Sequence, residues 1–312
     1  MQVLVLAGGL SAERDVSLRS GRRVAEALRR ERPGWEIVER DVDASLLPHL
    51  RAHRPDCVIP LLHGAAGEDG AMRDVLESLR IPFVGSGASA SRLAFDKPNA
   101  KAVLAAAGIL TPPCVAMPQS TFRELGAASV LDAVVERLGL PLVVKPARGG
   151  SALGMSIVHR ADEVPAAMVA AFAYADTVML ETFIEGTEVA VGVFSRDDDL
   201  LALSAVEIVP EHGVYDYAAR YTAGTTTFYC PARLSDEIAE SVQALALNAH
   251  LLLGLAHLSR TDAIVDGQGR VWFLEVNVAP GMTETSLLPQ ALAEADLGVG
   301  ALFAELVERV TA

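Results

Sequence analysis

No apolar run in this 312-residue chain approaches the ~18 consecutive residues a membrane-spanning helix requires, so its 51% hydrophobic content points to buried cores. Cysteine is scarce. Cys57, Cys114 and Cys230 are odd in number and far apart, with neither CxxC nor zinc spacing, which argues against a disulfide framework and predicts free thiols in a reducing, cytoplasmic setting. Positive charge is also short: the net charge of -14 disfavours nucleic acid and anionic membranes as partners, leaving local Lys and Arg clusters to bind small anions. The opening Met1 to Ala7 lacks the basic segment and cleavage site of a signal peptide and reads as a buried first strand. Neither a Walker A motif nor GxGxxG occurs, and "AGGLSAE" therefore argues against a dinucleotide dehydrogenase. Repeats and low-complexity tracts are missing, and the Asp197-Asp198-Asp199 run reads as a solvated hairpin turn.

What is present is an alternation of strands and helices. Apolar segments at 3 to 7, 35 to 42 and 57 to 62 alternate with helical patterns at 16 to 31 and 70 to 80, before a short strand at Phe83-Val84. This predicts a parallel α/β domain over 1–96, with ligands gathering where its strands end, and both "GGLSAE" and "HGAAGEDG" fall at such ends. An alanine-rich helix at 97 to 107 and a proline-containing connector lead to strand 141 to 145, a loop, strand 155 to 158 and a helix at 162 to 174, a small α+β unit over 97–186. From 177 come strands at 177 to 183, 187 to 195 and 200 to 209, an irregular stretch at 211 to 233, a helix at 235 to 253 and a hairpin at 258 to 277. These predict a larger mixed sheet in a third domain, 187–312.

Two segments carry chemistry. In the hairpin "SRTDAIVDGQGRVWFLEVNVAPG", a turn at Asp266 to Gly269 sets Arg260 opposite Glu275 and Asp262 opposite Phe273. Alternation then gathers Arg260, Asp262, Glu275 and Asn277 on one face, with Ala263, Val265, Trp272, Leu274 and Val276 on the core face. Asp262 and Glu275 become diagonal neighbours roughly 7 to 8 Å apart, and their all-oxygen donor set suits Mg²⁺ with nucleotide phosphates completing its shell. The plainer reading is a solvated face with an Arg260–Glu275 ion pair. The second segment is "KPARGGSALGMS" at 145 to 156, where Lys145 ends a buried strand and Gly149, Gly150 and Gly154 let backbone N–H groups approach phosphate oxygens, with Lys97 as a second cation.

Seven segments occur in order: "GGLSAERDVSLRSG" (8 to 21), "LLHGAAGEDG" (61 to 70), "VGSGASASRLAFDK" (84 to 97), "KPARGGSALGMS", "YDYAARY" (215 to 221), "RTD" (260 to 262) and "LEVNVAPGMTETSLLP" (274 to 289). On these the chain resembles the D-alanine:D-alanine ligases of the ATP-grasp superfamily. The resemblance implies an ATP-grasp fold: a Rossmann-like α/β domain, a small central α+β domain and a larger mixed-sheet domain. It further implies a cytoplasmic homodimer that joins two D-alanines through a D-alanyl phosphate for peptidoglycan precursor synthesis, using ATP and two Mg²⁺ or Mn²⁺ ions.

By the same resemblance Lys97 and Lys145 hold the α- and β-phosphates, Glu181, Thr182, Phe183 and Ile184 form the adenine hinge, and Glu188 takes the ribose hydroxyls. Asp262, Glu275 and Asn277 ligate the metals. Glu13 receives the ammonium of the first D-alanine with His63 nearby, Arg260 stabilises the transferring phosphoryl group and the oxyanion, and Gly281, Ser286 and Leu287 lie on the acceptor side. Ser151 and Tyr221 join Glu13 in a hydrogen-bonded set. The chain departs from the family pattern at Arg220, commonly Lys, and at Gly149, Ala152 and Thr182. Acceptors other than D-alanine (D-serine or D-lactate) and a non-catalytic nucleotide-binding module remain the alternatives. Tyr221, where relatives that accept D-lactate tend to carry His, favours the dipeptide.

Overall fold

Three β-sheets follow one another along the chain. The computed structural model describes every residue except Asp197, Asp198, His212, Tyr217, Ala218, Tyr221 and Ala223, and the side chain of Ala66. The first sheet contains β1 (Gln2–Leu6), β2 (Glu36–Arg40) and β3 (Cys57–Pro60), in the order β2-β1-β3 and parallel throughout. A further parallel bridge joins Val58 to Phe83. Alternation splits β1 between two cores: Val3 and Val5 pack with Val24 and Leu28 of the helix Arg14–Glu31, while Leu4 and Leu6 pack with Leu50 and Leu76. Fully burying each such leucine stabilises the fold by about 1.5 to 3 kcal/mol. The C-terminal helix Val299–Thr311 returns to this sheet and places Phe303, Leu306 and Val307 in the core shared with Val24 and Leu28.

The second sheet holds β4 (Cys114–Pro118), β5 (Leu142–Pro146), β6 (Ser156–Val158) and β7 (Thr177–Thr182), antiparallel in the order β4-β7-β5-β6. The segment expected as a plain connector therefore contains an edge strand, β4, followed by the helices Gln119–Leu125 and Ala127–Leu138. Pro112, Pro113 and Pro118 made that stretch look like a loop, but an edge strand tolerates proline because its outward side needs no ladder donor.

The third sheet contains β8 (Gly186–Arg196), β9 (Asp199–Ala202), β10 (Val206–Pro210), β11 (Thr226–Tyr229), β12 (Leu258–Asp266) and β13 (Val271–Asn277), ordered β11-β10-β8-β12-β13 with β9 on β8. The stretch 200 to 209 is two strands rather than one, and the stretch read as irregular supplies β11. Arg196 pairs with Asp199 between β8 and β9, and Asp197 and Asp198 of the run expected as a solvated turn lie outside the described residues. Val189, Val191, Ala263, Val265 and Phe273 pack beneath the helix Asp236–Leu252, while Ala190 and Phe194 face Leu288 and Leu292. No single helix among the described residues is long and apolar enough to cross a membrane.

The β12–β13 register differs from the expected one in two steps. The Asp266 carboxylate accepts from Gln268 N at 2.9 Å, Arg270 N at 3.0 Å, Arg270 Nε at 2.7 Å and Trp272 Nε1 at 2.8 Å. These bonds organise a turn through Gly267 to Gly269, with Gly269 at φ +77°, so that Val265 lies opposite Val271 instead of Arg270. A bulge then inserts Leu274 as an extra residue, because Ala263 faces Phe273 whereas Asp262 faces Glu275. The expected pairs Arg260–Glu275 and Asp262–Phe273 are thus replaced by Arg260–Asn277 and Asp262–Glu275. Trp272 and Leu274 also leave the core assignment: Phe273 is the fully buried residue, and Leu274 faces a cavity beside Ile264. Without the bulge, strict alternation would put Phe273 and Glu275 on the same face.

Candidate active site

The bulged hairpin gathers its polar face at one end of the third sheet. Arg260 donates to Asp262 through Nε–Oδ1 and Nη2–Oδ2, both 2.7 Å, a bidentate pair that fixes the guanidinium plane. The surrounding groups orient the Asn277 amide with Nδ2 toward Glu68 Oε2 at 2.9 Å and Oδ1 toward Arg260 Nη2 at 2.8 Å. Glu275 Oε2 lies 3.2 Å from Lys97 Nζ. Burial opposes ionisation of Glu275, but Lys97, Lys145, Arg220 and Arg260 outweigh it and hold the carboxyl well below its usual range. Among the described residues no three His, Cys, Asp or Glu side chains gather around a common point. The set is instead two facing carboxylates and an amide, all oxygen donors, with Lys97 beside Glu275 and Arg260 beside both Asp262 and Asn277. That chemistry fits a hard cation whose remaining ligands come from phosphate and water.

A cavity open to solvent separates this face from the second sheet. Lys97, Lys145 and Glu181 line it together with Thr182, Phe183 and Ile184, and Glu188, Asp262 and Glu275 line it from the third sheet, with Glu275 reaching Lys97. Val143, Ile157, Phe183, Ile264 and Leu274 supply apolar surface on either side, a slot suited to a planar ring. The Glu181 side chain is occupied within the protein: Oε1 meets Lys145 Nζ at 2.5 Å, and Oε2 accepts from Lys101 Nζ. Glu188 is half-buried, and its carboxyl is pushed up to about 7, first by burial and then by Asp262 and Glu275 against the pull of Arg220.

A second, smaller cavity adjoins the first, and Gly150, Tyr215 and Arg220 line both. Glu13, His63, Glu68 and Ser151 line it, as do Arg260, Asn277, Gly281, Ser286 and Leu287, with Glu68 and Asn277 in contact. Glu13 stands at the start of the first helix, in a loop pinned where Arg14 pairs with Asp41 and Asp41 Oδ1 accepts from Gly9 N at 2.9 Å. Ser151 donates to Glu13 Oε1, which brings the "KPARGGSALGMS" loop against the first domain's loop. A Cβ at Gly150 would sit 3.0 Å from Glu13 Oε2, so this glycine is what permits the close approach. At Gly281 a Cβ would lie 2.8 Å from Ser286 Oγ, which is bonded to Thr283 N at 3.0 Å and Thr283 Oγ1 at 2.8 Å.

His63 is buried beside Ser20, with Oγ–Nε2 of 3.3 Å, and Ser20 Oγ also accepts from Met282 N at 3.0 Å. Burial lowers the His63 imidazole to about 4, so it is neutral at pH 7. Arg220 Nε donates to Tyr215 O at 3.3 Å, and its guanidinium lies 4.2 Å from the Tyr215 ring centroid. Tyr221 lies outside the described residues.

The structure adds residues that sequence reasoning passed over. Glu68 is buried, accepts from Gly64 N at 2.8 Å, and is raised well above the usual carboxylate range by burial and by Glu13. Its signal was present, since it is the one acid in "HGAAGEDG" five residues beyond His63 that a short helix turns inward. Lys101 is the other, fully buried and one helical turn beyond Lys97 on an otherwise alanine-rich helix.

Residues 103–309 match the family model described as D-ala D-ala ligase C-terminus. The chain belongs to the D-alanine–D-alanine ligase family. The ligase of Anaeromyxobacter dehalogenans (strain 2CP-1) is 42% identical over 309 residues, covering 99% of this chain and 95% of the relative. Among solved structures, the VanG D-Ala:D-Ser ligase from Enterococcus faecalis superposes with a TM-score of 0.84 at 28% identity, covering 99% of each chain. The D-alanine–D-alanine ligase from Bacillus anthracis complexed with ATP gives 0.80 at 28% identity, covering 99% of this chain and 96% of that one. The three-sheet arrangement described above is the ATP-grasp architecture of this ligase family.

Proposed function

We propose that the two adjoining cavities form one active site, in which ATP fills the larger and two D-alanines fill the smaller. The chain is an ATP-dependent ligase that forms D-alanyl-D-alanine with release of ADP and phosphate. The observation that carries the division of the site is the direct pairing of Asp262 with Glu275 between the lysine-lined cavity and Arg260. A carboxylate is a poor electrophile. The γ-phosphoryl group of ATP is therefore transferred to a carboxylate oxygen of the first D-alanine, ADP departing, before the second amine attacks the acyl carbon and expels phosphate as it loses its proton.

Each residue has a matching task. Lys97 and Lys145 neutralise phosphate charge, the 181 to 184 segment borders the adenine, and Glu188 receives ribose hydroxyls. Asp262, Glu275 and Asn277 would hold Mg²⁺ or Mn²⁺, whose chemistry when bound is neutralisation of the phosphate oxygens. Glu13, bonded to a serine hydroxyl, accepts the ammonium of the first D-alanine; Arg260 steadies the transferring group and the oxyanion; Ser286 and the backbone of Leu287 take the second carboxylate. An acyl phosphate must be kept from water, and the 145 to 156 loop, already closed onto Glu13, supplies that cover. Division of the chain into domains at 96/97 and 186/187, a homodimeric assembly and a cytoplasmic role in peptidoglycan precursor synthesis complete this reading. Support for the first division comes from the first sheet ending before 96 and the second beginning after 97, while the second point falls one residue into β8.

The test is ADP release with a panel of D-alanine, D-serine and D-lactate as acceptors. D-alanine is expected to give the highest kcat/KM. Preference for D-serine would reassign the acceptor while leaving the ligase chemistry, and release independent of any D-amino acid would overturn the reading.

A further inference from the structure

Lys101 has no part in the roles above, yet it is among the most deeply buried side chains in the protein. Its helix, Lys97–Ala106, starts with Asp96 capping Asn99 N at 3.1 Å and is tied to the second sheet where Lys97 N donates to Ala147 O at 3.1 Å. Lys97 and Lys101, four residues apart, leave the same helix face toward different acids: Lys97 toward Glu275, Lys101 toward Glu181. Glu181 sits on β7 beside β5, so one carboxylate joins the helix lysine to the strand lysine, Lys145.

Burial of three ionic groups is costly unless each is fully paired, and replacing all of them with apolar side chains often costs nothing. Their presence beside a cavity therefore needs a reason other than stability. Charge supplies it. Glu181 alone with Lys145 would be a neutral pair facing the nucleotide. With Lys101 on the second carboxylate oxygen, the trio of Lys101, Glu181 and Lys145 keeps one positive charge, and only Lys145 of the two lysines lines the cavity.

We infer that Lys101 is a positioning residue for the nucleotide phosphates: it satisfies and orients Glu181, and thereby leaves Lys145 both fixed in place and electrostatically available. This rests on the nucleotide occupying the larger cavity. Two lysines sharing one acid also explain why Glu181 stays ionised, since burial opposes its charge and both ammonium groups together outweigh burial.

Dissociation constants of the non-hydrolysable analogue AMP-PNP and of adenosine, measured by calorimetry on the intact protein, test the inference. K101M is expected to weaken AMP-PNP about ten-fold while leaving adenosine within about two-fold, because only the phosphates feel the lost charge; K101R keeps the charge and recovers most of the affinity. K145M serves as the reference. Weakened AMP-PNP binding in K145M with unchanged binding in K101M would overturn the role of Lys101 alone, as would an equal loss for both ligands in K101M, the mark of a packing defect. Unchanged AMP-PNP binding in both variants would overturn the nucleotide assignment itself. Should K101M fail to fold, K101Q, closer in polarity, carries the same comparison.

Discussion

Apart from Glu188, which burial pushes up to about 7, the two cavities that meet at Gly150, Tyr215 and Arg220 treat their carboxylates in opposite ways. On the nucleotide side, Asp262, Glu275 and Glu181 each have a lysine or arginine at bonding distance, and Glu181 and Glu275 are held below the usual carboxylate range despite burial. On the amino-acid side, Glu13 bonds to a serine hydroxyl, and Glu68 bonds to a backbone N–H and an amide. There burial and the neighbouring charge of Glu13 push Glu68 upward. The difference teaches what each half is built to receive. Acids already paired with cations can exchange those partners for a metal and leave the cations to phosphate. An acid whose bonds are to neutral groups still seeks positive charge, which an incoming ammonium provides.

Removing one acid from each side would break or sharpen this contrast. Glu275→Gln deletes a charge that faces Lys97 and the metal set, and ligation should fall by at least about a thousand-fold with the circular dichroism spectrum preserved. Near-normal turnover at saturating Mg²⁺ would reject the metal assignment. Glu13→Gln keeps the shape but not the charge, and should raise KM for the first D-alanine by about ten- to a hundred-fold with ATP affinity unchanged. An equal loss of ATP affinity would show that the two halves are not electrostatically separate.

The smallest effects are on stability. Glu188, at about 7 in the ligand-free protein, binds its proton more tightly folded than unfolded. Its stabilisation is present below about 4.5 and is lost as pH rises through 7, so Glu188→Gln should raise Tm by a few degrees at pH 8 and little at pH 5. His63 works in the other direction: with its folded value near 4 against an ordinary 6.5, stability is full above 6.5 and declines as pH falls toward 4. His63→Gln should flatten that acid limb of the Tm profile. A profile identical to that of the parent protein would exclude the buried neutral imidazole.

Legibility followed sequence distance. The acid face of the hairpin was readable because its residues lie on two consecutive strands, where a period of two and one turn relate them. Its register was not, because Asp266 builds the turn through four side-chain bonds and the bulge at Leu274 has no glycine or proline to announce it. β4 was hidden among prolines and is held by the distant β7, and β11 was hidden in a polar stretch although its partner is the preceding strand β10. Lys101 was passed over within an alanine-rich helix, and only the arrival of β7, 80 residues later, gives it Glu181.

By itself, the amino-acid order settled which segments are strands and helices over most of the chain, that one hairpin face would concentrate acids, and that glycine-rich loops would sit at strand ends. These follow from short-range periodicity and backbone sterics, which neighbouring residues decide among themselves. Tertiary structure alone decided which acid meets which cation and that Glu68 would orient Asn277, whereas the Ser151–Glu13 bond across 138 positions matches the set implied by the family resemblance. Charge pairing in a buried site depends on distances of a few ångströms between distant segments, and those distances exist only after the three sheets have packed.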